Sequence, residues 1–357
     1  MASVRLENVS KKVPGGGGVY ELNLNVDDGE FFVIAGPPGS GKSMVLRLIA
    51  GLETPDEGKI YLGNELITDL PPHRRGISMV FQSLALYPNK TVFENIAFPL
   101  RVQKLPEAEI RSRVKDVAAF LRIDHILNKY PRFLSGGEQQ RVAVARAMIV
   151  RPKLFLFDQP LANLDAIIRV VMRDEIRRIV KETGTTAIYV THENVEALSI
   201  ADRIAYMEKG RVVAIGTSEQ FLNDPHDFRV ARYFADVNYV ESTLEELNGR
   251  VYVNFLSTKL EIPSAPSVGR KVILAFKTND VTLGKGLQPS EGMLVERGEV
   301  TMVEEHVRTR IYSLKLSDGF EIRAYTSKHF ELGERVDVMI RHDKLYIFDG
   351  ETMSRLS

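Results

Sequence analysis

Residues 36–43 read Gly-Pro-Pro-Gly-Ser-Gly-Lys-Ser and match G-x-x-x-x-G-K-[ST], the pattern of a phosphate-binding loop. In such a loop the backbone N–H groups point inward at a di- or triphosphate, and glycines permit its close approach. The Lys42 ammonium can reach the β- and γ-phosphates, and the Ser43 hydroxyl can bind Mg²⁺. The apolar residues 31–35 predict a buried parallel strand before the loop, and residues 44–50 predict a helix after it. The predicted nucleotide contacts in this loop are Gly36, Pro37, Pro38, Gly39, Ser40, Gly41, Lys42, Ser43 and Met44.

Three polar side chains at the ends of predicted strands extend this site. Asp158 ends an apolar strand, which is the Walker B pattern, and its carboxylate can hold Mg²⁺ through water. Gln82 follows a second strand and can offer its carbonyl oxygen to Mg²⁺ or to a water, although most such glutamines are solvated. His192 follows a third strand, where an imidazole is well placed for a γ-phosphate. The predicted metal ligands are therefore Ser43, Gln82 and Asp158.

A second glycine-rich helix start occurs at residues 134–141, Leu-Ser-Gly-Gly-Glu-Gln-Gln-Arg. Ser135 is a good N-cap, and Gly136 and Gly137 leave the first N–H groups of the helix open to an anion.

A lone histidine is more often structural than functional. His192, however, follows a phosphate-binding loop, this helix start and a Walker B strand in chain order, which favours a functional role.

Composition narrows the classes of function. Lysine plus arginine and aspartate plus glutamate both number 47, so the net charge is zero and does not drive binding to nucleic acid or anionic lipid. Without cysteine, the chain forms no disulfide and no thiolate metal site. The first residues lack the apolar core of a signal peptide, and no apolar run approaches the roughly 18–20 residues that span a bilayer. We therefore expect any work at a membrane to require docking on other subunits.

Together these motifs resemble the ATP-binding subunits of ABC importers of the maltose and sugar type, over essentially the whole chain. The most specific of them is residues 134–138, the ABC signature, which other P-loop classes lack. The resemblance implies an α/β P-loop nucleotide-binding domain at residues 1–235. It implies, more weakly, an all-β regulatory domain of OB-like barrels at residues 236–357. Other segments typical of the family are residues 71–75, 79–83, 85–88, 94–100 and 189–192.

The resemblance also implies partners and chemistry. Two subunits, identical or different, would form a head-to-tail dimer, with ATP and Mg²⁺ between the loop of one and the signature of the other. Asp165 would lie in the D-loop, residue 159 at the attacking water, and His192 on the γ-phosphate. Residues 82–88 would receive a transmembrane permease subunit, and a solute-binding protein would act through the permease. The signature residues expected to contact the partner's ATP are Ser135, Gly136, Gly137 and Gln139.

The implied function is that of a cytoplasmic subunit, peripheral on the inner face of the cell membrane, which energises solute import by ATP-driven dimer closure. A carbohydrate is the favoured solute because the motifs are those of the sugar type. Relatives that import glycerol phosphate, polyamines, iron or sulfate share the same architecture, so these solutes remain alternatives.

Several positions depart from the family pattern. Gln159 replaces the glutamate that polarises the attacking water, and loss of a general base typically costs about 10²–10⁴-fold in rate. Val13 stands where the family has an adenine-stacking aromatic, and Tyr20 is a poor substitute by position. Met44 removes a hydroxyl that touches the α-phosphate, and residues 193–194 read Glu-Asn instead of Asp-Gln. Two explanations stay open: a substitution introduced to trap the ATP-bound dimer, or a degenerate subunit that works beside a competent partner.

The C-terminal third has a different pattern, with short alternating segments and turn signals that predict an all-β region. It contains no catalytic constellation, so regulation or dimer contact is its expected use. The segments are residues 251–255, 271–276, 294–304, 308–316, 321–325, 335–340 and 344–348.

Two functions of other classes compete with transport. One is an ATP-binding clamp or regulatory subunit that does not hydrolyse ATP, and Gln159 is the feature that favours it. The other is an ABC protein that acts on nucleic acid. The zero net charge and the lack of a basic stripe or long coiled coil argue against that possibility.

Overall fold

The computed structural model describes residues 2–15, 17–248, 250–262, 269–290, 292–305, 309–317 and 319–356. The chain divides into two compact units, Met1–Ser218 and Glu219–Ser357, each with its own hydrophobic core. Within the described residues, no helix is long and apolar enough to cross a bilayer.

The first unit alternates strands and helices, as its sequence pattern predicts. In chain order its elements are β1 (Val4–Lys11), β2 (Val19–Val26), β3 (Phe31–Ala35), α1 (Lys42–Ala50), β4 (Glu57–Leu62), β5 (Glu65–Leu66), β6 (Ile77–Val80), α2 (Val92–Val102), α3 (Glu107–Phe120), α4 (Gly136–Met148), β7 (Leu154–Asp158), α5 (Ala166–Thr183), β8 (Thr186–Thr191), α6 (Asn194–Ile200), β9 (Arg203–Glu208) and β10 (Arg211–Gly216).

A six-stranded sheet in the order β10-β9-β3-β8-β7-β6 forms the centre of this unit. All neighbouring pairs are parallel except β10 with β9. Strands β3, β7 and β8 are buried along their whole length, which explains their continuous apolar sequences. Because they are parallel, their carboxyl ends lie at one edge, where the phosphate-binding loop, Asp158 and His192 follow them.

A second sheet in this unit, β2-β1-β4-β5, is antiparallel and alternates buried and exposed residues. One core joins its inner face to α1 and to the central sheet. Representative core residues are Val4, Leu22, Ile34, Val45, Ile60, Leu156 and Val190. The α/β P-loop architecture predicted from the sequence is confirmed.

The second unit is an all-β structure that two short helices precede. Its elements are α7 (Ser218–Asn223), which starts at the last residue of the first unit, α8 (Phe228–Phe234), β11 (Val237–Leu247), β12 (Arg250–Phe255), β13 (Thr258–Glu261), β14 (Lys271–Lys277), β15 (Val281–Gly284), β16 (Met293–Glu305), β17 (Arg310–Leu316), β18 (Glu321–Thr326), β19 (Arg335–Arg341) and β20 (Tyr346–Asp349).

Two five-stranded antiparallel sheets, β13-β12-β11-β14-β20 and β15-β19-β16-β17-β18, make up this unit, so the predicted all-β class is confirmed. Every predicted segment corresponds to a strand, although residue 308 of one segment lies outside the described residues. The sequence misses β13 and β15, because four residues are too few to show an alternating pattern. It also misses β11, an eleven-residue strand in which only Asn238 and Leu244 are buried, so that its burial does not alternate regularly.

Helix α8 belongs to the second unit because its apolar face packs on that unit's strands. Phe228 and Ala231 join Ile273, Ala275 and Phe348 in a small core of their own. Packing therefore divides the chain after Ser218. The domain limits expected from family resemblance, 1–235 and 236–357, stay a prediction.

Arg75 closes the end of the helix that follows the phosphate-binding loop. Arg75 is only 3% exposed, and its guanidinium donates to four backbone carbonyls. Two of these belong to the last turn of α1, at Leu48 (2.8 Å) and Ile49 (2.9 Å), where a cation also complements the helix dipole. The other two are those of Leu70 (2.7 Å) and Thr68 (2.8 Å). Burial lowers the pKa of this guanidinium, and nearby Asp69 opposes the shift.

We expect the Arg75→Met variant to lose about 3 kcal/mol of unfolding free energy, because it leaves these carbonyls without donors. Chemical denaturation of the whole chain measures the loss. Arg74→Met, a change at the exposed neighbour, is the matched control and should stay within about 0.5 kcal/mol of the parent. Equal stability of the two variants would contradict a structural role for Arg75.

Candidate nucleotide-binding site

The loop between β3 and α1 has the backbone that its glycines permit. A Cβ at Gly36 would lie 2.1 Å from the carbonyl oxygen of Met207, so no side chain fits there. Gly41 has φ of +92° and is the N-cap of α1, and a Cβ on it would lie 2.7 Å from the Gly18 carbonyl oxygen. The loop is therefore held close to the surrounding chain with its amides at the start of α1, as a phosphate site requires.

Lys42 lies inside this loop. Its ammonium donates to the carbonyls of Gly36 and Pro37, both at 2.8 Å, and to the Ser40 hydroxyl at 3.1 Å. The side chain is buried, and this desolvation lowers the pKa of Lys42 to about 8, while Asp158 acts in the opposite direction. An anion bound beside the ammonium would raise this pKa again and favour the charged form, so the loop fits a phosphate group.

Ser43 and Asp158 meet although they are far apart in sequence. The Ser43 hydroxyl donates to a carboxylate oxygen of Asp158 at 2.7 Å. A hydroxyl and a carboxylate are the hard oxygen ligands that Mg²⁺ prefers, and Mg²⁺ commonly binds to few protein groups together with substrate phosphates. The described residues contain no cluster of three or more carboxylate, histidine or cysteine side chains that could hold a metal alone. The pair therefore fits a cation that nucleotide and water help to bind.

Gln159 and His192 form the second pair of the site. Nδ1 of the imidazole lies 3.0 Å from the amide oxygen of Gln159. The Gln159 backbone has φ of +45°, and its N–H donates to the Val190 carbonyl at 3.0 Å, which ties it to the adjacent strand β8. The two expected catalytic positions are thus adjacent, at the edge where β7 and β8 end.

A cavity of about 330 Å³ opens over the loop. Val13 and Met44 line it, as their alignment with family positions leads us to expect, whereas Tyr20 does not. Sequence reasoning missed Arg47, which also lines the cavity. Its signal was available, because it follows Ser43 by four residues and so lies on the same face of α1. Among the described residues, those that line the cavity are Val13, Gly17, Pro38, Gly39, Ser40, Gly41, Lys42, Ser43, Met44, Arg47 and Gln159.

The signature helix α4 begins away from this cavity. Ser135 and Glu138 form a capping box, in which each side chain accepts from the backbone N–H of the other. The Gln139 amide donates to the carbonyls of residues 131 and 134. A Cβ on Gly136 would meet the Leu164 side chain at 2.8 Å, so this glycine permits close packing. None of these residues is among those that line the described cavity.

Two other expected site residues have local roles. Asp165 caps α5 by accepting from the Ile168 N–H at 3.0 Å. Gln82 is exposed, does not line the cavity in the described part of the chain, and accepts at its backbone carbonyl from the Asn163 amide at 3.2 Å. The structure thus brings together two of the three predicted metal ligands, Ser43 and Asp158.

The loop that contains Gln82 is tied to α4 and α2. The Arg146 guanidinium donates to the carbonyls of Leu84 (2.7 Å) and Ala85 (2.6 Å), both residues with positive φ. Fully buried Asn95 accepts from the Tyr87 N–H at 2.8 Å and donates to the Tyr87 carbonyl at 3.1 Å. Neither Arg146 nor Asn95 carries a local signal in the sequence, because both act on residues in another element.

Three features define a nucleotide-binding cassette of the P-loop ATPase class. They are a phosphate-binding loop with its buried lysine, a Walker B carboxylate that accepts a hydrogen bond from the loop serine, and a separate signature helix. The model of the ABC transporter family matches residues 19–162. The chain belongs to this family, and its class is that of the ATPases that power ABC transporters.

Relatives match nearly the whole chain. The trehalose/maltose import ATP-binding protein MalK of Thermococcus litoralis is 39% identical, over 99% of both chains. The sn-glycerol-3-phosphate import ATP-binding protein UgpC of Chromobacterium violaceum is 36% identical, over 100% of this chain and 96% of its own. A solved ATP-binding cassette, a dimer in a post-hydrolysis state bound to ADP and Pi, is 34% identical with a TM-score of 0.53. It covers 60% of this chain and 98% of its own.

Lys42 provides a pH-dependent test of the site. A phosphate raises its pKa above the free value of about 8, so nucleotide binding between the two pKa values takes up protons. We expect uptake of up to about 0.7 proton per ADP at pH 8.5, falling towards zero near pH 7. Calorimetric titrations in two buffers of different ionisation enthalpy measure it. Lys42→Arg, which keeps the charge but does not titrate, should bind without uptake. Buffer-independent heats in the parent chain would contradict the assignment.

Proposed function

We propose that this chain is the ATP-binding subunit that energises an ABC importer of a carbohydrate. The observation that carries the proposal is the contact of 2.7 Å between Ser43 and Asp158 beside the buried ammonium of Lys42. It joins a cation site to a phosphate site, which is what phosphoryl transfer from ATP needs. The identity of 39% with a trehalose/maltose import protein over 99% of both chains supports a sugar as the solute.

The site would be completed by a second subunit. The signature residues Ser135, Gly136, Gly137 and Gln139 cap or pack at the start of α4, away from the cavity over the loop. This separation supports a head-to-tail dimer, in which the signature of one subunit covers ATP on the loop of the other. The related cassette solved as a dimer with ADP and Pi supports the formation of a dimer.

The permease would dock at residues 82–88. A surface cavity of about 680 Å³ lies beside this loop, lined by apolar and aromatic side chains that include Ala85, Tyr87 and Phe98. An amphipathic helix of a membrane subunit fits such a groove. The subunit would then lie on the cytoplasmic face of the membrane, and a solute-binding protein would act on it through the permease.

Each polar residue has a proposed part in the chemistry. Lys42 and the loop amides bind the phosphates, and Ser43 and Asp158 hold Mg²⁺, which neutralises phosphate charge when it is bound. His192 contacts the γ-phosphate. Gln159 orients the attacking water through its amide, but an amide does not take up a proton, so hydrolysis by this form is slow.

The alternative function is an ATP-dependent clamp that binds nucleotide and closes without hydrolysis. One observation favours it, since the position of the general base holds Gln159, which contacts His192 at 3.0 Å in place of a carboxylate. The solute alternatives are glycerol phosphate, polyamine, iron and sulfate, and the relative named for sn-glycerol-3-phosphate import supports the first of these.

The Gln159→Glu variant tests the function. We expect its ATP hydrolysis to exceed that of the parent by about 10²–10⁴-fold, because a carboxylate at this position takes up the proton of the attacking water. Phosphate release measures hydrolysis, and light scattering with ATP follows dimer formation. We expect the parent to form the more persistent ATP-dependent dimer.

The double variant Gln159→Glu with Lys42→Ala is the control and should abolish the gain. If Gln159→Glu stays inactive and neither form dimerises with ATP, Val13 and Met44 have weakened the site as well. The chain would then be a degenerate subunit, and the proposal of an active ATPase would be wrong.

A further inference from the structure

A carboxylate on α6 binds two hydroxyls of the strand that leads to His192. Glu196 is only 6% exposed, and one of its oxygens accepts from Tyr189 at 3.0 Å and from Thr191 at 2.8 Å. Tyr189 is fully buried, and its burial together with the Glu196 charge raises the pKa of its hydroxyl, which stays a donor. Hydrogen bonds to a buried carboxylate are the stronger kind, so this cluster is a firm attachment between α6 and β8.

One of these hydroxyls continues the network around His192. The Thr191 oxygen, which donates to Glu196, also accepts from the backbone N–H of Glu193 at 3.0 Å. The residues immediately before and after His192 are therefore linked to each other and to the buried carboxylate. Because a threonine has few χ1 rotamers, the direction of this hydroxyl is also restricted. The backbone at His192 is thus constrained on both sides.

The imidazole reaches the site from this constrained turn. Its Nδ1 lies 3.0 Å from the side-chain oxygen of Gln159, and Gln159 itself is tied to β8 through the Val190 carbonyl. A hydrogen bond at Nδ1 determines which imidazole nitrogen carries the proton in the neutral ring, and Nε2 lies 3.8 Å from a carboxylate oxygen of Glu193. A rotation of the turn that bent this contact below about 120° at the hydrogen would weaken it steeply.

We propose that Glu196 and Thr191 are positioning residues for His192, and that the path from the carboxylate through the Thr191 hydroxyl to the Glu193 N–H sets the imidazole orientation. The proposal rests on the proposed function, since it assigns His192 to the γ-phosphate. Neither residue touches substrate. The Tyr189 hydroxyl donates to the same carboxylate and not to the turn at residues 191–193. The two hydrogen bonds that Glu196 accepts, from Tyr189 and from Thr191, can therefore be tested separately.

The experiment compares four variants of the whole chain: Thr191→Val, Thr191→Ser, Glu196→Ala and Tyr189→Phe. The first readout is the ring ¹⁵N resonances of His192, which are assigned by their loss in a His192→Asn variant. These resonances report the tautomer and the Nδ1 hydrogen bond without any turnover. The second readout is the steady-state kinetics of ATP hydrolysis in the Gln159→Glu background. Thermal unfolding of each variant shows that it is folded.

We expect Thr191→Val and Glu196→Ala to shift the His192 resonances towards a mixture of tautomers. In the Gln159→Glu background they should lower kcat about 10- to 100-fold, with KM for ATP nearly unchanged, because orientation and not binding is lost. Thr191→Ser, which keeps the hydroxyl, should restore both readouts. Tyr189→Phe should leave both readouts near the parent values, since it removes the hydrogen bond to Glu196 that does not lead to the turn.

Unchanged His192 resonances in Thr191→Val would overturn the proposal. An equal disturbance in Tyr189→Phe would also overturn it, because the cluster would then act only through general packing. If Thr191→Val does not fold, Glu196→Ala and Thr191→Ser decide the outcome by the same criteria. If Gln159→Glu shows no hydrolysis, the proposed ATPase function fails, but the resonances of His192 still decide whether Glu196 positions it.

Discussion

The site depends on the register of three parallel strands. In the central sheet Ala35 of β3 is opposite Thr191 of β8, and Asp158 of β7 is opposite Val190 of the same strand. The three strands therefore end within one residue of one another, and the groups at and after their ends meet at one edge. A slip of one residue in any pair would turn its side chains to the opposite face of the sheet. Backbone hydrogen bonding, which is nearly the same for every residue type, thus determines where the lysine, the carboxylate and the imidazole meet.

The edge of the sheet at which these strands end is polar, and its buried polar groups form most of their hydrogen bonds with backbone atoms. Lys42 donates to two carbonyls of its own loop, and Gln159 donates its N–H to β8. Away from this edge, Arg75 donates to four carbonyls, two of them at the far end of α1. Unpaired buried polar groups cost free energy, so this pairing lets a charged site form beside a core of fully apolar strands. Glu196 does the same for the two hydroxyls of β8.

The sequence predicts those parts of the fold and site that depend on neighbouring residues. The phosphate-binding loop, Asp158 at the end of β7 and His192 after β8 follow from short motifs with defined chemistry and spacing. Arg75 and Glu196 were not predicted, because their partners lie in other elements, as when Arg75 binds Leu48 across 27 positions. Gln82 was expected beside the metal and stays a prediction, since a side chain at a loop end has no periodic pattern that fixes its direction. Short strands such as β13 are missed for lack of a repeat.

Arg146 has a consequence for the proposed docking of a permease on the loop at residues 82–88. Leu84 and Ala85 both hold left-handed backbone conformations, which for residues other than glycine cost about 1–2 kcal/mol each. Two guanidinium hydrogen bonds and the amide of Asn95 hold the segment in this shape before any membrane subunit arrives. A surface that is ordered in advance loses little conformational entropy when it is bound. The contacts of the loop would therefore add to the binding free energy with little loss to ordering. The free-energy cost of ordering the loop lowers the folding stability of the cassette instead.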